Sequence, residues 1–97
     1  MEEPTEWKSL HDATFLGIEF EWATGLAVLK IAAGVAGDKQ IRCEGVLNLQ
    51  CARRHPWGES EFINKAVVHH ERRVHRLILE LQSGDEVEIV GSRIVLL

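Results

Sequence analysis

Apolar residues recur at every second position through most of this chain, a period that belongs to half-buried β-strands. From Ile41 the odd positions read Ile41, Cys43, Gly45, Leu47, Leu49 and Cys51, and Arg42, Glu44, Val46, Asn48 and Gln50 stand between them. The spacing predicts one long strand over 41–51 with its odd residues in the core, bent or bulged at Gly45. Leu16, Ile18, Phe20 and Trp22 alternate with Gly17, Glu19 and Glu21, and Ala27, Leu29 and Ile31 follow the turn Ala23-Thr24-Gly25. These two runs predict an antiparallel hairpin. At the other end Leu77, Leu79 and Leu81, then Val87 and Ile89, then Ile94 to Leu97 are parted by Ser83-Gly84-Asp85 and Gly91-Ser92. That order predicts a three-stranded meander.

Residues 60–76 read two ways. Ile63, Val67, His70, Val74 and Leu77 follow helical spacing, and Ser60 is a fit N-cap. Val67-Val68 and His69-His70 are poor helix formers, which favours strand plus loop, with one short helix as the alternative. The fold expected is mainly β: a small antiparallel β-sandwich or barrel of six or seven strands. One domain spans 1–97, with 1–6 disordered and Trp7 and Leu10 docking the N-terminal arm onto the body.

Composition agrees with a packed soluble domain: 45% of residues are apolar and 27% charged. The net charge of −4 argues against nucleic acid in general. Residues 51–76 nevertheless hold Arg53, Arg54, Lys65, Arg72, Arg73 and Arg76 with four of the five histidines, a local basic island. Cys43 and Cys51, on one extended strand, would lie about 26 Å apart at ~3.3 Å per residue, too far for a disulfide. The expectation is two buried reduced thiols in a cytoplasmic protein. The acidic start Met1-Glu2-Glu3-Pro4 lacks the basic and apolar stretches of a signal peptide, and no apolar run is long enough to span a membrane.

Four short pieces, Leu10-His11-Asp12-Ala13, Pro56-Trp57-Gly58 with Ser60, Ile63-Asn64, and Gln82-Ser83-Gly84-Asp85, resemble an uncharacterised family of small β-rich bacterial proteins of similar length. Some similar proteins are presumed to serve as immunity or accessory proteins. Glu59 stands where that pattern has proline, and Lys65 to Arg76 has no counterpart in it. The resemblance implies a mainly β domain of unknown function and supplies no catalytic residue.

Candidate chemistry is sparse. His70-Glu71 with His75 misses the zinc-protease motif by one residue: on a helix His75 would turn about 140° from His70. On a single strand His69 and His75 would share a face without His70. No cofactor and no metal site is expected. His11-Asp12 has the makings of an oriented base, but Asp12 reads better as a turn residue. Arg54, His55 and Trp57 at the Pro-Trp-Gly turn, together with Asn64, complete the candidates for ligand or partner contact. The function expected is a non-enzymatic protein-interaction or accessory module that binds a protein partner or its own copy, with no membrane and no assigned small molecule. The alternatives are a small enzyme or ligand-binding protein near His11 and Trp57, and weak nucleic-acid binding through the basic island.

Overall fold

The structure is a computed structural model that describes Trp7 and residues 10–34, 37–51 and 62–97. Eight strands follow in order: β1 (Thr14–Glu21), β2 (Leu26–Ala32), β3 (Asp38–Glu44), β4 (Asn48–Cys51), β5 (Ile63–His70), β6 (His75–Leu81), β7 (Glu86–Gly91) and β8 (Arg93–Leu96). They form two four-stranded antiparallel sheets, ordered β1-β2-β3-β8 and β4-β7-β6-β5. No helix among the described residues is long and apolar enough to cross a membrane.

The expected mainly β class holds, and the described residues hold eight strands because two long runs each change sheets. The single strand expected over 41–51 ends at Glu44 and resumes at Asn48 in the opposite sheet. Gly45 takes φ 59° at the break, a conformation open to glycine at little cost. The expected terminal meander divides in the same way: Gly91-Ser92 carries the chain from β7 to β8, across to the first sheet. The two corners brace each other. Ser92 N–H donates to Glu44 O at 2.9 Å, Leu47 N–H to Val90 O at 2.8 Å and Val46 N–H to Gly25 O at 2.9 Å. A Cβ on Gly91 would stand 2.8 Å from Glu44 O, so the crossing backbones leave no room for a side chain there.

This corner overturns the uniform odd-face expectation. Ile41 and Cys43 are fully buried, Leu49 is half-buried, and Leu47 is 74% exposed. Cys51 is also exposed rather than buried. Both thiols are free, as expected, but the reason given by a single strand does not hold, since the cysteines lie in different sheets.

The hairpin β1–β2 forms as expected, with a change of face. Pairing passes from Phe15↔Ile31 to Gly17↔Lys30, which leaves Leu16 as an extra residue. Such a bulge inverts parity. Ile18 and Phe20 stand opposite core residues Leu29 and Ala27, but beyond the bulge Phe15 replaces Leu16 on that face. Leu16 is 58% exposed as a result.

Residues 63–81 are a β-hairpin, so the helix alternative fails for residues 63–76. Ile63, Ala66 and Val68 pair with Leu81, Leu79 and Leu77 and fill the core, with Asn64 as the extra residue of a second bulge. Trp7 and Leu10 are buried, so the arm docks as expected. The disordered segment expected over 1–6 lies outside the described residues.

Candidate functional site

Two surface features carry chemistry. The first is a polar clasp where the chain before β1 crosses the starts of β5 and the end of β6. Asp12 N–H donates to Ile63 O and Ile63 N–H to Ala13 O, both at 2.8 Å, and Thr14 bridges Phe62. These bonds close one seam between the two sheets. The bulge at Asn64 turns a carbonyl out of the ladder, and His11 Nδ1 lies 2.6 Å from it. The carbonyl can only accept, so Nδ1 carries the proton. His11 Nε2 is left 3.6 Å from Asp12 Oδ2. Gln82 Nε2 donates to Asp12 Oδ1 at 2.6 Å, and Gln82 N–H to Phe62 O at 2.9 Å. Asp12 has φ 66°, a left-handed conformation that aspartate tolerates better than most residues.

The structure thus brings His11, Asp12 and Asn64 together, with Gln82 as a member that the sequence did not mark. Its signal was the Gln82-Ser83-Gly84-Asp85 piece, read as a turn and as part of the resemblance but not as a site. That turn is tight: Gly84 N–H donates to Leu81 O, Leu81 N–H to Asp85 O, and Ser83 Oγ to Asp85 Oδ2. Arg54, His55 and Trp57 lie outside the described residues, as does the Pro-Trp-Gly turn. His11 and Asp12 are well exposed, and their described partners hold backbone and side chains in place. This geometry joins strands.

The second feature is apolar. A groove of about 440 Å³ runs between the β1–β2 turn and the start of β4, lined by Phe20, Trp22, Gly25, Val46, Leu47, Asn48 and Leu49. Trp22 is 89% exposed. Its ring meets Phe20 edge to face, with centroids 6.2 Å apart, a favoured aromatic geometry. Beside the groove, β4 pairs only with β7 among the described strands and forms the edge of its sheet. The alternation placed Leu47 in the core and Trp22 at the end of the apolar face of a half-buried strand; the turn after β1 and the corner at Gly45 put both in solvent.

The basic island is interrupted. Lys65 stands across from Glu80, and Arg76 pairs with Glu88 at 2.8 Å and approaches Glu71 at 3.7 Å. Arg72 and Arg73 are exposed at the β5–β6 tip, and Arg53 lies with Arg54 outside the described residues.

The fold and its polar clasp define a small antiparallel β-sandwich laced shut along one seam. No family model matches the chain, and no curated protein matches it. Among solved structures it is similar to an uncharacterized protein from Neisseria gonorrhoeae, with 17% identity and a TM-score of 0.70 over 89% of this chain and 90% of that one. At that identity the likeness is one of fold.

Proposed function

We propose that this chain is a non-enzymatic interaction module that self-associates, the edge of β4 pairing antiparallel with β4 of a second copy. The observation that carries this reading is the apolar groove along a sheet edge that pairs with no other described strand, with Trp22 and Leu47 both exposed. Contiguous exposed apolar surface marks an interaction site, and an open strand edge offers backbone donors and acceptors to another strand. Natural edges are commonly protected by lysine, proline or a bulge. β4 reads Asn48-Leu49-Gln50-Cys51 and has none of these, and its pairing with β7 is regular. Its lack of charge favours a second copy: a two-fold axis lays each strand against its own image, and neutral amides meet there without repulsion. The resemblance to small bacterial proteins presumed to be immunity or accessory proteins supports an interaction role. Glu80 opposite Lys65 in the ladder and the ion pair of Arg76 with Glu88 count against nucleic acid. A reducing cytoplasm is part of the same proposal, since both cysteines are free and Cys51 is exposed.

Sedimentation equilibrium tests the reading. The wild-type chain dimerises with rising concentration, and Trp22→Ser combined with Leu47→Asp leaves a folded monomer. A wild-type chain that stays monomeric up to about 1 mM, equivalent to about 4 kcal/mol of association free energy, would overturn it.

A further inference from the structure

Remote from the groove, the tip of the β5–β6 hairpin holds two imidazoles face to edge. His70 and His75 are direct cross-strand partners. Glu71 N–H donates to Val74 O at 2.9 Å, so by ladder alternation His70 and His75 occupy the adjacent non-hydrogen-bonded pair. Opposed side chains are closest at such a pair. Their Nδ1 atoms lie 2.7 Å apart and the ring centroids 4.8 Å apart. The single-strand expectation, which joined His69 to His75 and excluded His70, fails because the chain reverses between them. His69 instead lies opposite Arg76.

The geometry points to a divalent transition-metal site, with His70 Nδ1 and His75 Nδ1 chelating a borderline ion such as Zn²⁺. At 2.7 Å one Nδ1–H donates to the other Nδ1, and a metal ion takes the place of that single proton between two nitrogens already aimed at each other. Zinc–imidazole distances of about 2.0–2.1 Å place two adjacent ligand nitrogens about 3 Å or slightly more apart. A small opening of the present pair reaches that bite. Imidazole suits zinc, copper and nickel, whereas magnesium and calcium prefer oxygen.

The hairpin holds the two donors before the ion arrives. Both histidines continue the core-facing column of their strands, next to the buried pair Val68 and Leu77. On the other side of His75 the partner is Gly91, which places no side chain beside the ring. His70 is exposed and His75 half-buried, so remaining coordination positions open to water. Glu71 is drawn toward Arg76 at 3.7 Å, on the opposite face. Arg72 and Arg73 at the tip add positive charge nearby. The ion is therefore held by nitrogen donation rather than by a negative field, and no third His, Cys, Asp or Glu among the described residues completes the cluster.

Titration of the full chain with Zn²⁺ alone, followed by imidazole nitrogen resonances, tests the site. One equivalent shifts the Nδ1 signals of His70 and His75 together and leaves those of His11 and His69 in place. His70→Ala weakens binding at least tenfold while amide resonances keep their folded dispersion, and His69→Ala binds as the wild type does. The assignment is overturned if Zn²⁺ moves neither ring or only one of them. It is equally overturned if a folded His70→Ala variant retains wild-type affinity.

Discussion

Leu47 and Leu79 are both leucines on apolar parity, yet one is 74% exposed and the other fully buried. Leu79→Ala should cost about 2–5 kcal/mol in urea unfolding, the usual loss for a buried leucine. Leu47→Ala should stay within about 0.5 kcal/mol, as for a surface change. The cysteines part in the same way. Native alkylation should modify Cys51 quickly and Cys43 only on unfolding. Burial pushes the Cys43 thiol from 9.0 up to about 12. Between those values the unfolded chain gives up a proton that the folded chain keeps. Its contribution is fully present below about pH 9 and falls as pH rises toward 12. Cys43→Ala should flatten that part of the stability profile, read by denaturant midpoints across the alkaline range. Parity placed Ile41 and Cys43 correctly because they precede the corner. It misplaced Leu47 and Cys51 because a change of sheet resets which side is inside.

Among the elements, the hairpin β1–β2, the Ser83-Gly84-Asp85 turn and the strand from Leu77 were legible from local pattern, whereas for 63–76 the same pattern favoured strand over helix without deciding between them. Turn chemistry and β-branched residues act over a few neighbours, so a short window contains their cause. The two bulges were not legible, since Leu16 and Asn64 become extra residues only against a partner strand. The corners were half legible: Gly45 marked a bend, but the crossing of Gly91 over Glu44 depends on residues far apart in sequence. Gly91→Ala should cost about 1–3 kcal/mol, the range for overpacking a site that cannot yield, because the added carbon meets a backbone oxygen. An unfolding midpoint equal to wild type would show that the two corners are not packed against each other. His11→Ala removes the donor to the Asn64 carbonyl. It should speed hydrogen exchange at Ile63 and Asp12 without disturbing β7.

At the scale of the molecule, the candidate clasp was visible in the sequence only as separate pieces. His11, Asp12 and Asn64 come together because the segment before β1 pairs with the start of β5, a closure that no periodicity encodes. The groove was invisible for the opposite reason: an apolar Trp22 and Leu47 read as core unless the strand ends are known. Self-association through β4 would bring two copies of the strand together, and intermolecular contacts in a mixed sample of differently labelled chains report on that pairing. Antiparallel β4–β4 pairing should give filtered NOEs between copies at Asn48 and Gln50, with Trp22 and Leu47 signals shifting on dilution. Dimer contacts on the β5 edge or the outer face of β2, with β4 silent, would contradict it.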